Sequence, residues 1–362
     1  MKVRRLVIFS SLPEVGGHTT TTLKLCELLQ PMFEEICVIT KDIPGHGFSE
    51  AAREELLLGN VRVFRVSTAK LGDFLRTLSL CRGADVFLAI GMRHLSPVLA
   101  LLIGARQSFY YHITHELSPA ILRQLRVYRR FFSRLVFLSP ATARLYAEST
   151  GHPGPSAWAV QPTALPQEPA CLPQRAPGPV RLGLLGRLTE EKGVGLLSAL
   201  VEKSPVPCEL HTAGRGPKEA ELLQLQRSHP DRFIFKGAYT ARERGSFLAQ
   251  FFSQIDYLCV PSLDDREGIP NVILEALQSG VPVLATKTGG MRSFAMSELG
   301  PADPDVVRLV EPDEFAAAFA VALRSPLPSP ETRNRCMEYF ERQFSDQVIA
   351  VHWHKILSEP GG

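Results

Sequence analysis

The sequence predicts an α/β protein of two doubly wound, parallel-sheet domains. Three observations lead there. Short apolar runs alternate with helical patterns from Val3 to Leu138, and again from Val180 to Thr286, as parallel βαβ units require. Residues 161–179, QPTALPQEPACLPQRAPGP, separate the two series with six prolines and no periodicity, so they read as an extended linker. At 362 residues the chain is also longer than one core ordinarily serves.

Charge is uneven along the chain. Residues 1–163 carry 19 Lys+Arg against 12 Asp+Glu, whereas the remainder carries 21 against 25. A basic first half suits an anionic acceptor or a membrane surface there. The seven cysteines include no C-x-x-C and mostly sit in apolar runs, as expected of buried free thiols in a reducing compartment. The start, MKVRRLVIFSSLPEVGG, lacks a small-residue cleavage site and runs into a glycine turn, so it reads as a first strand rather than a signal peptide. Leu95–Ala105 is apolar but far shorter than the ~20 residues a spanning helix needs. The expectation is a cytoplasmic protein, at most peripheral at the cytoplasmic face of a membrane.

In the first half, the buried strand Val3–Phe9 leads through Gly16-Gly17 into a helix over His18–Leu29. Strand, glycine turn and helix form a phosphate-approach unit, although no G-x-G-x-x-G is present. Further strands are expected at Ile36–Thr40, Val61–Val66, Val86–Ile90, Gln107–His112 and Leu135–Leu138, with helices at Lys70–Cys81 and Leu95–Ile103. The loop beginning residues 41–60 is a hypothetical acceptor contact. His112 and His115 lie i, i+3 in YYHITHELSP, with no Cys or Asp to complete a metal set. Next, SPAILRQLRVYRRFFSR interleaves Arg123, Arg126, Arg129, Arg130 and Arg134 with apolar side chains. It reads as a crossover helix with arginines in water and aromatics in the core, or as a basic amphipathic surface for membrane or an anionic acceptor. No nucleic-acid-binding motif accompanies it.

The second half opens with the strand Val180–Leu185 and the loop GRLTEEKG, which carries Arg187 and Lys192 at the strand's carboxyl end. Two cations there can neutralise a diphosphate; the plainer alternative is a surface salt bridge with Glu190 or Glu191. HTAGRGPKEAEL (211–222) reads as strand, glycine turn and helix. A strand at Phe233–Gly237 and a helix over Ala241–Ser253 precede the strand IDYLCVPS (255–262). Then comes EGIPNVILEALQSGVPVLAT, where Glu267 sits in a loop and Gly268 permits a tight turn. Pro270 is expected at the first helical position, and Glu275 one turn inside on the face of Asn271. A helix starting at a strand's carboxyl end offers N–H groups to an anion. Carboxylates on either side of that start can accept hydroxyls flanking a bound phosphate, the layout of a nucleotide sugar. Asp303-Pro304-Asp305 reads as a turn, and Phe344–Leu357 as a helix whose His352 and His354 do not share a face.

The E-x7-E spacing, the string G-R-L-x-x-x-K-G and the order of these landmarks resemble retaining glycosyltransferases of family 4. That resemblance implies the GT-B fold, two Rossmann-like parallel-sheet domains facing a central cleft, and covers residues 180–310 most fully. The implied division is an acceptor-side domain over 1–163, a linker over 164–179, a nucleotide-sugar domain over 180–342, and a C-terminal helix over 343–362 crossing back. The resemblance further implies that Glu275 holds ribose hydroxyls and Glu267 the donor-sugar hydroxyls. Arg187, Lys192 and the backbone of Gly268, Ile269, Pro270, Asn271 and Val272 would grip the leaving diphosphate. Gly16 and Gly17 would reach the diphosphate, Gly214 the base, and Gly289 with Gly290 the donor sugar, while His115, with His112 as the alternative, would contact that sugar. Met291-Arg292 stand where relatives carry Pro-Glu, which leaves recognition of the sugar open.

The implied reaction is transfer, with retention, from a UDP- or GDP-linked sugar to a hydroxyl of a glycan, lipid-linked saccharide or small molecule. Neither a cofactor nor a metal is expected. A nucleotide-sugar epimerase of the same fold and a non-catalytic sugar-nucleotide-binding protein are the alternatives.

Overall fold

The computed structural model describes residues 3–10, 12, 17–41, 60–66, 71–91, 95–151, 156–160, 178–239 and 243–358. Gly16, the loop over 42–59 and most of the linker therefore lie outside the described residues. The chain divides into two compact units, residues 1–162 with 346–362, and residues 163–345.

The first unit holds a seven-stranded parallel sheet in the order β3-β2-β1-β4-β5-β6-β7. Its strands are β1 (Val3–Ser10), β2 (Phe33–Lys41), β3 (Val61–Val66), β4 (Val86–Ile90), β5 (Gln107–His112), β6 (Arg134–Phe137) and β7 (Ser156–Trp158). Between them run α1 (Gly17–Leu29), α2 (Leu71–Cys81), α3 (Ser96–Ile103), α4 (Pro119–Tyr128) and α5 (Pro140–Thr150).

Strand β1 is apolar from Leu6 to Phe9, where both its faces are covered. Leu6 and Ile8 pack with Leu25 and Leu29 of α1, while Val7 and Phe9 pack into a second core with Leu78, Leu99, Ile103 and Leu125. The C-terminal helix Asp346–Ser358 completes the first of these cores. Its Ile349, Trp353, Ile356 and Leu357 recur at helical spacing and point inward. Trp353 is fully buried, edge-on to Tyr111 with 5.1 Å between ring centroids.

Two helices of the second core have unusual outer sides. In α4, Ser118 caps the start by accepting from Ile121 N–H, and Ile121, Leu125 and Tyr128 face inward. Arg123, Arg126, Arg129 and Arg130 face solvent as expected, but Val127 and Phe131 do too. The apolar run after Leu95 forms α3, an eight-residue helix with Leu99, Ala100 and Ile103 inside and Val98, Leu101 and Leu102 outside.

The second unit is a six-stranded parallel sheet in the order β10-β9-β8-β11-β12-β13. The strands are β8 (Val180–Arg187), β9 (Cys208–Arg215), β10 (Phe233–Phe235), β11 (Tyr257–Val260), β12 (Val283–Thr286) and β13 (Val307–Val310). Its helices are α6 (Val194–Glu202), α7 (Glu219–Ser228), α8 (Arg244–Ser253), α9 (Asn271–Gln278), α10 (Phe315–Arg324) and α11 (Pro330–Phe344). Leu182 and Leu184 of β8 pack with Val194, Leu197 and Val201 of α6 and Phe315 and Phe319 of α10. The chain leaves β8 for β9 on one side and returns as β11 on the other. Such a reversal opens a crevice at the strands' carboxyl ends.

Sequence patterning sets no element over β13, α10 or α11. Arg335 of α11 reaches Asp303 at 2.6 Å and Asp305 at 3.1 Å, so that acidic triplet anchors a helix. The six described cysteines are buried and unpaired, while Cys171 lies outside the described residues.

Removing a fully buried tryptophan leaves a large cavity. Trp353→Ala should lower unfolding free energy by about 3–5 kcal/mol, measured by urea denaturation followed by circular dichroism. A loss under about 0.5 kcal/mol, the range of ordinary surface substitutions, would show that the C-terminal helix contributes little to this core.

Candidate active site

The site is assembled from the segments that follow β8 and β11. Arg187 is the last residue of β8, and a short turn over Glu190–Lys192 closes at Gly193, whose φ is +72°. Glycine is required there twice over: the backbone is left-handed, and a Cβ would strike the carbonyl oxygen of Pro261. The close approach presses the turn against the segment leaving β11, where Leu263 N–H donates to Glu191 O at 2.8 Å.

Lys192 is thereby delivered to Glu267. Its ammonium contacts Glu267 Oε1, and Ser262 Oγ donates to Glu267 Oε2 at 2.9 Å. Burial pushes Lys192 down to about 8, Arg187 acts in the same direction, and Glu191 and Asp264 oppose it. Contact with the Glu267 carboxylate also favours the charged form. Arg187 is mostly exposed and pairs with Glu191 at 3.4 Å, the surface bridge foreseen as its plainer role. Such a pair contributes about 0–1 kcal/mol, so little opposes Arg187 turning to a stronger anion.

From Glu267 the chain reaches α9. Pro270 has φ −67° and ψ 130°, so it caps the helix instead of occupying its first position, which falls to Asn271. The correction follows from ψ: an extended residue cannot belong to the helical turn. Among the described residues, the N–H groups of Gly268, Ile269, Asn271 and Val272 have no acceptor. They form a run of open donors at a helix start.

Glu275 is fully buried one turn along α9. Arg244 Nη2, from the start of α8, donates to its Oε1 at 2.5 Å. Arg244 also lies over the Tyr239 ring and donates to its hydroxyl at 3.3 Å. Glu275 Oε2 remains buried without a partner, as do Asn271 Oδ1 and Arg244 Nε. Two unsatisfied acceptors and a donor thus gather at one place. Buried polar atoms are seldom left so, and a ligand carrying hydroxyls would satisfy them.

Gly289 and Gly290 pack closely against this loop. Gly289 N–H donates to Asp265 Oδ1 at 2.9 Å and Gly290 N–H to Glu267 O at 2.8 Å, so neither N–H is left open. A Cβ on Gly289 would strike Glu267 O, and one on Gly290 would crowd the Gly268 backbone. These glycines are needed where two backbones meet. Gly214, at the end of β9 with φ +136°, likewise has no room for a Cβ beside Gly186 O.

Gly17 opens α1 in the first unit. His112 ends β5 and its Nε2 donates to Glu116 O at 3.1 Å, while His115 lies beyond the strand, buried, with Nδ1 2.8 Å from Thr142 Oγ1. Arg244, Tyr239 and Ser262 escaped sequence reasoning. The signal for Arg244 was the need of a buried glutamate for a cation, which no local spacing supplies. A separate open hollow of about 430 Å³, lined by Arg181, Glu209, His211 and Lys236 among others, includes none of the residues grouped here.

A pair of Rossmann-like parallel sheets with this site at the crevice of the second defines the GT-B architecture. Residues 179–327 match the family described as glycosyl transferases group 1. A GDP-mannose-dependent alpha-mannosyltransferase of Mycobacterium tuberculosis is 29% identical over 319 residues, 80% of either chain. A putative colanic acid biosynthesis glycosyltransferase of Escherichia coli is 30% identical over 190 residues, covering 49% of this chain and 45% of its own. The fold is shared with Anabaena Alr3699/HepE, solved in complex with UDP, at TM-score 0.73 and 16% identity over 98% of this chain and 99% of that one.

Breaking a buried ion pair from one side costs about 3–5 kcal/mol, whereas neutralising both partners can cost far less. Arg244→Met should therefore destabilise strongly, and Arg244→Met with Glu275→Gln should recover most of the loss in urea denaturation. Additive losses would mean that the two side chains are not coupled.

Proposed function

We propose that the protein transfers a sugar from a nucleoside-diphosphate sugar to an acceptor hydroxyl, with retention at the anomeric carbon. One observation carries this reading: Lys192 meets Glu267 on the segment whose open N–H groups at the start of α9 adjoin the unpartnered acceptors Asn271 Oδ1 and Glu275 Oε2. Cations and N–H groups suit a diphosphate, and the acceptors suit the hydroxyls of the ribose. Glu267 takes hydroxyls of the donor sugar once Lys192 turns to phosphate. Gly214 lies beside the base.

Chemistry follows from where charge develops. As the bond from the anomeric carbon to the diphosphate oxygen breaks, negative charge collects on the leaving group. Lys192, Arg187 and the helix start meet it with positive charge already in place, so transfer proceeds without a metal ion. The acceptor hydroxyl attacks from the same face, its oxygen forms the new bond, and its proton passes to a diphosphate oxygen. The GDP-mannose dependence in the name of the Mycobacterium relative and the UDP bound by the Anabaena protein favour a GDP- or UDP-linked hexose. The acceptor is a glycan, a lipid-linked saccharide or a small alcohol.

Thermal shift against UDP-, GDP-, ADP- and dTDP-sugars tests the donor directly, since a bound ligand stabilises the native state. At least one UDP- or GDP-sugar should raise the melting temperature; no response to any would end the proposal. Turnover of donor alone to an epimer, without acceptor, would replace transfer by isomerisation.

With a responsive donor, Lys192→Ala should lower kcat by about 10²–10³-fold. Glu275→Ala should act chiefly by weakening nucleotide binding. Equal and negligible effects would contradict both roles. Lys192 carries its charge below its depressed value and loses it above, so kcat/KM should fall as pH rises through about 8. Lys192→Arg, which stays charged, should move that fall upward; an unmoved limb would assign it to another group.

A further inference from the structure

We infer that the outer side of α3 and α4 docks on an anionic lipid surface. This goes beyond sugar transfer and stands independently of it.

The apolar part is α3. Val98, Leu101 and Leu102 are 49%, 69% and 46% exposed, three outward positions on an eight-residue helix. Val127 and Phe131, in and just after α4, are 49% and 39% exposed. Both helices pack their inner sides into the same core on one face of the first sheet, so these side chains belong to one helical layer. An isolated exposed leucine needs no explanation, but a set gathered on one layer marks a surface that meets something apolar.

The charge beside it identifies the partner. Arg123, Arg126, Arg129 and Arg130 project from the same layer. Among the described residues none of the four pairs with a carboxylate. Elsewhere arginines are routinely neutralised, as Arg5 is by Glu35, Arg181 by Glu209 and Arg335 by Asp303. Neither α3 nor α4 contains an acid, and residues 86–147 hold eight arginines and one acid, Glu116. The excess positive charge of the first half is thus concentrated around this layer.

Exposed aliphatic and aromatic side chains among unneutralised arginines match the boundary between acyl chains and acidic headgroups. A solvated protein face would have no use for Leu101, and a protein partner would be matched by carboxylates, not by lipid. No helix among the described residues is long and apolar enough to cross a membrane. The contact is therefore peripheral, with α3 entering the headgroup boundary and α4 binding the charge.

Sedimentation of the full chain with vesicles of phosphatidylcholine, with and without phosphatidylglycerol, tests the inference. The chain should pellet with phosphatidylglycerol vesicles only, and added salt should release it. Arg126→Gln with Arg130→Gln should lower the partition coefficient about 25-fold, about fivefold per arginine. Leu101→Asp should lower it at least about tenfold. Both changes are at exposed positions, and an unchanged melting temperature shows that each variant is folded. Absence of binding to either vesicle overturns the inference, as does binding indifferent to Leu101→Asp. A dimer in analytical ultracentrifugation that Leu101→Asp dissociates, without vesicle binding, would assign the patch to a second copy of the chain. A donor thermal shift kept by these variants separates this outcome from failure of the proposed transfer.

Discussion

The contact between Lys192 and Glu267 is the constraint on which the site rests. It joins the segment after β8 to the segment after β11, the two strands between which the second sheet reverses its order. Neither charge is free to stay buried alone. Holding them together fixes the loop that leads into α9, and with it the direction in which the open N–H groups point. The same pair keeps a cation poised at low exposure, where its attraction for a phosphate is stronger than in water.

Around that contact, close backbone approaches do what side chains could not. Gly193 lies against Pro261, Gly289 against Glu267 and Gly290 against Gly268, and each would be pushed away by a single methyl group. Farther along α9, the pair of Arg244 and Glu275 fixes one carboxylate oxygen and leaves the other unsatisfied. The second unit thus holds cation, helix start and acceptors in place before any ligand arrives. Such preorganisation is what electrostatic stabilisation of a leaving group demands.

Much of this was legible in the sequence because it is local. Apolar runs such as Leu6–Phe9 and Leu182–Leu185 mark strands covered on both faces, and the acids at 267 and 275 announce themselves by spacing around a helix start. What was not legible depends on contacts distant in sequence. Arg244 meets Glu275 across 31 positions, and Ser262 acquires meaning only once Glu267 folds back on it. The packing of Gly289 and Gly290 against Glu267 and Gly268 was hidden for the same reason: glycine spacing reveals a tight approach, not what approaches. Pro270 was misplaced by one residue, since its ring fixes φ but not ψ. The outward turn of Phe131 and Leu101 was hidden too, because composition records how apolar a helix is and not which side of it the sheet covers.

The central claim is that Lys192 exchanges the Glu267 carboxylate for a diphosphate. Calorimetric titration with UDP or GDP at pH 8, in two buffers of different ionisation enthalpy, tests it by counting protons. With Lys192 only partly charged in the free protein, binding a diphosphate should draw in a fraction of a proton per ligand, and Lys192→Met should abolish that uptake. Tight binding with no proton uptake, or with uptake unchanged in Lys192→Met, would contradict the account.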